Sequence, residues 1–544
     1  MKKILALAAL GLWLTPAFPA AILPASAGTR VVADTAQNAP DNWFNLDPQE
    51  HQVQGVSTEK AYEYLKNRPS QTVVVAVIDS GIDIAHEDLQ GKIWINEDEI
   101  AGNGQDDDKN GYVDDVHGWN FIGGKDGRNV EYDTQELTRL YVSLKEKYEG
   151  PEAEKLKKKE KEEYALYRKV KAEYEKEWQE AQAQYAQFQQ LFEAYQAASA
   201  IIRKHLGKEE YTQQDLAAIT SADPKVIQAR SLLSYMADNK LSPEAFAEGE
   251  DYFMAKLKYH LNPAYNPRNI VGDDYQDVKE KGYGNNDVTG AFAEHGTHVA
   301  GIIAANRTNN LGIKGIADNV KIMVIRAVPN GDERDKDVAN AIYYAVDNGA
   351  RVINMSFGKA YSPYKEAVDA AVKYAEKKGV LLVHGAGNDG KNIDGADNFP
   401  TDQISAKKEV NNWLEVGASS WGDGANFVGD FSNFGKKSVD VFAPGVDVYS
   451  TVPKQGYKSN SGTSMAAPVA AGVSALLLSY FPELSAEQVR DIILKSTVKY
   501  KGLKVNQPGQ GKKPVMVGFD ELSVSGGIVN AYEAVRLAES LSQK

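Results

Sequence analysis

The run Thr72-Val73-Val74-Val75-Ala76-Val77-Ile78 is apolar at every position after the first and is dominated by β-branched side chains. A strand with one wet face alternates apolar and polar residues; a run without alternation is buried on both faces. That condition is met where helices cover a parallel sheet on its two sides, so the run predicts a central strand of such a sheet. It ends in Asp79-Ser80-Gly81, and in these sheets functional residues lie beyond the carboxyl ends of the strands. An aspartate at that place is also an ordinary turn residue. Asp79 therefore gains meaning only from partners later in the chain.

Further β-rich runs at 320–328, 352–356 and 380–384 alternate with helical stretches at 337–348 and 364–378. The rhythm implies an α/β fold, a doubly wound parallel sheet with helices on both faces. Between 150 and 207 the pattern changes. Lys, Glu, Gln, Ala and Tyr dominate, and Pro151 is the last helix breaker before Gly207. Tyr167, Val170, Tyr174, Trp178, Ala181, Tyr185, Phe188, Phe192 and Tyr195 recur three or four apart, a heptad-like seam on one long helix. Asp223-Pro224 and Ser242-Pro243 each pair an N-cap residue with a helix-starting proline. The stretch 131–267 is thus expected to be an inserted α-helical subdomain. Its aromatic seam packs either on its own neighbours or on another chain.

The 544 residues carry a net charge of -14 and no cysteine. The charge argues against nucleic acid as a partner, because phosphate binding needs basic patches. Without cysteine there is no disulfide, no thiol nucleophile, no lipid attachment to cysteine and no Cys-based zinc site. Lys2 and Lys3 precede an apolar run from Ile4 to Leu14, and Ala25-Ser26-Ala27 offers a small-residue cleavage site. Residues 1–27 are read as a signal peptide and 28–41 as a short lead. No later segment is read as long and apolar enough to span a bilayer, so the expected location is outside the cytoplasm, periplasmic or extracellular.

Asp106, Asp108, Asn110 and Asp114 place oxygen donors at alternating positions around Gly111, with the Tyr112 carbonyl between them. This matches the first nine positions of a calcium loop, where the glycine allows the sharp turn. His117 stands at the twelfth position in place of a bidentate glutamate. A structural Ca2+ is expected there; the competing reading is a solvated acidic loop.

Gly462-Thr463-Ser464-Met465-Ala466-Ala467-Pro468 reads as a glycine turn that opens into a small-residue helix. Ser464 then sits at a helix N-terminus, where free N–H groups and the helix dipole favour a developing anion. A serine that attacks a carbonyl needs that setting.

With Val77-Ile78-Asp79-Ser80-Gly81-Ile82 and His295-Gly296-Thr297-His298-Val299-Ala300-Gly301, this heptapeptide resembles the motifs of the subtilisin-like serine proteases, or subtilases. They stand in the Asp…His…Ser order of subtilisin. The resemblance covers about 42–130 and 268–540, taken as the two parts of a catalytic domain, and leaves out the insertion. It implies a serine endopeptidase with Ser464 as nucleophile, His295 as general base and Asp79 as its orienting carboxylate. Asn388 matches the side-chain oxyanion donor, and His298 falls at a structural histidine. Ser356, Phe357 and Gly358 match one wall of the primary specificity pocket, Ala386 and Gly387 the other. Lys359 departs from the small residue common there, and Asp332 and Glu333 fall near the expected rim of more distal subsites.

The implied partner is a protein or peptide substrate. The insertion is expected to gate the cleft, contact substrate or contact another subunit. The folded propeptide usual in secreted subtilases is not evident before Asp41. Competing readings are a binding scaffold and an autoprocessed enzyme directed at one partner.

Overall fold

A computed structural model describes residues 39–150, 156–239, 241–405, 408–511 and 514–542. The expected signal peptide and most of the lead lie outside the described residues. The rest groups into a helical unit, Leu137–Tyr265, and a second unit formed by the chain on either side of it.

The helical unit is built from α1 (Glu136–Tyr148), α2 (Lys158–Leu206), α3 (Gln213–Ala218), α4 (Pro224–Asp238) and α5 (Pro243–Ala255). α2 has 49 residues, about 74 Å at 1.5 Å per residue. Asp223 and Ser242 cap α4 and α5 through their side chains, each followed by proline. The aromatic seam of α2 is satisfied inside this unit. Tyr174 stacks on Tyr141 at 4.3 Å and donates its hydroxyl to the carbonyl of Leu261 at 2.8 Å. Phe188 is fully buried among Phe246 and Phe253, and Tyr195 lies 4.9 Å from Phe246. Each such ring pair adds roughly 0.5–1.5 kcal/mol beyond its buried area. The hydroxyl of Thr138 donates to His260 O at 2.8 Å, which brings the two ends of the unit together.

The second unit holds a nine-stranded sheet. Its strands are β1 (Val73–Asp79), β2 (Gly118–Asn120), β3 (Val320–Arg326), β4 (Val352–Met355), β5 (Leu381–Gly385), β6 (Trp413–Ser419), β7 (Val441–Pro444), β8 (Val498–Lys499) and β9 (Gly527–Ile528). The spatial order is β8-β9-β7-β6-β5-β4-β1-β3-β2, parallel throughout except β8 against β9. β1 feeds two cores. Val73, Val75 and Val77 join Val299 and Ile303 of α6 (Glu294–Ala304). Ala76 and Ile78 face Ile342 of α7 (Asp335–Asp347) and Val372 of α8 (Lys365–Lys378). The first core also takes α9 (Thr463–Tyr480), α10 (Ala486–Lys495) and α11 (Ala531–Ser542). Fully burying one leucine such as Leu477 contributes about 1.5–3 kcal/mol.

One sequence expectation needs correction here. α9 is long and apolar enough to cross a membrane, yet 89% of its span is buried in the core. Its apolarity on all sides follows from that burial.

The chain on either side of the helical unit is fastened by buried ion pairs. Arg334 holds Asp133 at 2.7 and 3.0 Å and reaches Asn266 at 3.4 Å. Arg268 grips Asp337 at 2.6 and 2.8 Å. Both partners, Arg334 and Asp337, belong to the start of α7, so the outgoing and returning segments are pinned within one helical turn.

Candidate active site

Asp79 closes β1 and is almost fully buried. Both its oxygens meet His295 Nδ1, at 2.8 and 3.0 Å, and the Ser80 N–H donates to Oδ1 at 2.7 Å. His295 opens α6 and keeps 40% of its side chain exposed. Burial works against the charged ring, but the Asp79 carboxylate more than offsets it, and the pKa of His295 stands above the usual histidine value. With Nδ1 committed to Asp79, Nε2 is left for the cleft.

Ser464 lies in the first turn of α9, as the turn-and-helix reading of its motif requires. Its hydroxyl donates to Ser356 O at 3.1 Å rather than to His295. Asn388 is exposed and follows Gly387, which has a φ of +99° and where a Cβ would stand only 2.5 Å from the Asn433 amide nitrogen. Thr463 N–H donates to Asn388 Oδ1 at 2.9 Å. That bond fixes which way the amide points and leaves Nδ2 as a free donor. Asp79, His295, Ser464, Asn388, Ser356 and Phe357 all line one open cleft of about 710 Å³. Gly358, Ala386 and Gly387 are outside its lining; Gly387 N–H is tied to the Thr463 hydroxyl at 3.0 Å.

His298, one turn after His295, has the opposite character. It is fully buried, Nε2 faces Lys458 O at 3.0 Å, and burial pushes its pKa down to about 4. It is a neutral structural ring.

Lys359 and the acidic pair beside it depart from expectation. The Lys359 amine is buried and bonds Glu136, Asp335 and the carbonyl of Glu333, each at 2.8 Å. Glu333 is itself buried, and Asp332 accepts the Glu136 N–H at 2.8 Å. The cleft lining includes Val328, Pro329 and Asn330 but neither Asp332 nor Glu333.

A sequence model of the subtilase family matches residues 70–512. The chain belongs to the subtilase family. It is 43% identical over 186 residues to a thermophilic serine proteinase of Bacillus sp. (strain AK1), covering 34% of this chain and 42% of that protein. Identity to a cell wall-associated protease of Bacillus subtilis (strain 168) is 33% over 279 residues, 51% of this chain and 28% of that protein. Subtilisin DY of Bacillus licheniformis is 40% identical over 200 residues, 36% and 68% of the two chains. The subtilase thus spans less than half the length of the first two relatives.

In this subtilase the acidic loop gathers a donor set that differs from the one read in the sequence. Carboxylate oxygens of Asp106, Asp108 and Glu99 all lie within 4.8 Å of one another. Gly111, at φ +99°, supplies the sharp turn. Asn110 stays in the loop, with Nδ2 donating to Asp108 at 2.9 Å and Oδ1 accepting Tyr112 N–H at 2.8 Å. Asp114 falls outside this group of three, and its oxygens accept the N–H groups of Asn103 and Gly104 at 3.1 and 2.8 Å. Glu99, seven residues before the loop, was not legible as a donor because no local spacing connects it to Asp106. Three clustered carboxylates suit a hard cation, whose charge would relieve their mutual repulsion.

Proposed function

We propose that this subtilase is an exported serine endopeptidase acting through Asp79, His295 and Ser464. The observation that carries the reading is that three motifs far apart in sequence, together with Asn388, supply one cleft with a base, a hydroxyl and a free amide donor. Rotation of the Ser464 side chain takes Oγ from Ser356 O to His295 Nε2, which accepts its proton as Oγ attacks the peptide carbonyl. Asp79 holds the ring by Nδ1 and stabilises the imidazolium. The oxyanion is met by Asn388 Nδ2 and by the Ser464 N–H at the helix start. His295 then gives its proton to the leaving amine, and the acyl-enzyme is hydrolysed by water activated at the same nitrogen.

Substrate lies extended along Ser356-Phe357-Gly358, with Ala386-Gly387 as the opposite wall of the primary pocket. Residues 131–267 are an insertion into a catalytic domain of 42–130 and 268–540, a reading supported by the compactness of 137–265. Ca2+ would be held by Glu99, Asp106 and Asp108, with Asn110 and the Tyr112 carbonyl beside them. Its contribution is to neutralise and fix the loop; it takes no part in the reaction. Export rests on the leader-like residues 1–27.

The test is casein hydrolysis by wild type and Ser464→Ala, each with Ca2+ and with chelator. Activity that disappears in Ser464→Ala supports the assignment, and activity that survives there sinks it.

A further inference from the structure

His384 is the last residue but one of β5, fully enclosed, and the triad mechanism makes no use of it. Nδ1 lies 3.0 and 2.9 Å from the two oxygens of Glu415 on the neighbouring β6. Nε2 lies 2.7 Å from the carbonyl oxygen of Phe357. A carbonyl oxygen can only accept, and so can a carboxylate. Both ring nitrogens face acceptor oxygens, an arrangement that suits a ring donating from each nitrogen. Trp413 Nε1–H at 2.8 Å and Asn398 Nδ2–H at 3.4 Å also donate to Glu415. Burial works against the charged ring, but Glu415 outweighs it and, with Phe357 O and the more distant Glu333, raises the His384 pKa above its usual value. Behind Glu415 stand Asp402 and Asp440, both pushed up to about 6 by burial, with Arg490 on Asp440 at 2.7 Å.

The pair sits between two segments. Phe357 O is the midpoint of Ser356-Phe357-Gly358, and a Cβ on Gly358 would stand 3.5 Å from His384 Nε2. Asn398 Nδ2, while touching Glu415, also reaches Ala386 O at 3.4 Å. We infer that the His384–Glu415 ion pair is a positioning element that fastens the two walls of the primary specificity pocket to each other and so sets KM for extended substrates without touching them. This rests on the proposed pocket walls, Ser356-Phe357-Gly358 and Ala386-Gly387.

The ring carries its second proton below the ordinary histidine pKa and loses it as pH rises through the raised value. Wild-type KM for a tetrapeptide anilide is expected to climb over that alkaline range. His384→Leu removes the clamp and is expected to raise KM about tenfold at every pH, with kcat within about twofold. Its Ser464 should still react at the wild-type rate with a small dialkyl phosphoryl fluoride, which fills no pocket. Glu415→Gln leaves a neutral ring that still donates Nε2–H to Phe357 O and accepts at Nδ1 from the new amide. That variant is expected to keep KM near wild type at pH 7 and to lose the alkaline climb.

A folded His384→Leu with unchanged KM overturns the inference, as does a Glu415→Gln protein that keeps the climb. Should His384→Leu fail to fold, the Glu415→Gln profile decides. If the phosphoryl reagent leaves Ser464 unlabelled in wild type, the protease reading itself falls, an outcome separate from any KM pattern.

Discussion

Two histidine–carboxylate pairs in this subtilase share one local geometry. His295 uses Nδ1 to hold Asp79 at 2.8 and 3.0 Å; His384 uses Nδ1 to hold Glu415 at 3.0 and 2.9 Å. Each carboxylate takes a further strong N–H bond, from the Ser80 backbone at 2.7 Å and the Trp413 indole at 2.8 Å. Both rings are held above the usual histidine pKa by their carboxylates against the effect of burial. What separates them is the far nitrogen. His295 presents Nε2 to an open cleft, whereas His384 spends it on Phe357 O in a sealed site. The carboxylate–imidazole unit by itself is neither catalytic nor structural. The group facing Nε2 decides whether its proton can be exchanged with a reacting atom.

The largest test of that contrast replaces each carboxylate by its amide. Asp79→Asn is expected to lower kcat on the order of ten-thousandfold by stabilising the wrong tautomer, while Glu415→Gln leaves kcat near wild type. Steady-state kinetics on one peptide checks both, and equal losses would erase the distinction. Asn388→Ala should come next, with kcat down about a hundred- to a thousandfold, the scale seen when the corresponding donor of subtilisin is removed. Its KM should hardly move, because the amide meets only the developing oxyanion.

The pH profile gives a smaller and sharper effect. His295 must be neutral to act as base, and its pKa is raised, so kcat/KM is expected to fall on acidification through a pKa above 6.5. In Asp79→Asn the residual activity should show that limb displaced to lower pH, because the carboxylate that favours the charged ring has gone. A limb that stays in place would mean another group controls the titration.

The mildest intervention lies away from both pairs. Chelator, or Glu99→Gln in the presence of Ca2+, is expected to lower Tm by several degrees, leaving kcat measured well below Tm within about twofold of wild type. Calorimetry with and without Ca2+ reads it, and a Tm insensitive to both changes would remove the cation from the loop.

Much of this arrangement was legible in the sequence because the proposed catalytic groups sit in short, local patterns. Asp79 ends an unbroken β-branched run, and Ser464 follows a glycine turn into a helix; each pattern implies its own backbone. The second pair was hidden for a physical reason. β6 is a central strand, but Glu415 interrupts the apolar run Trp413-Leu414-Glu415-Val416 and disguises it as a surface segment. Only its partner His384, on a different strand, explains how a carboxylate can be buried there. Glu99 escaped notice in the same way, since its association with Asp106 is made by the loop's path and not by spacing. Lys359 could be seen as unusual, but its direction depends on Glu136 and Asp335, which the sequence does not bring together.

The placement of β1 has a consequence for how the molecule is made. It is flanked in the sheet by β3 and β4, and Val320, its first partner on β3, leaves the ribosome about 250 residues after Val73. The middle of the sheet is therefore completed late, and a solitary apolar strand must wait in the meantime. The helical unit shortens that wait in space if not in time. Its contacts are local, and Thr138 meeting His260 joins its two ends. Once it has condensed, the loop to be closed contracts by about half, which lowers the closure entropy by roughly 0.6 kcal/mol. A helical unit that condenses first thus favours closure of the seam between β1 and β3.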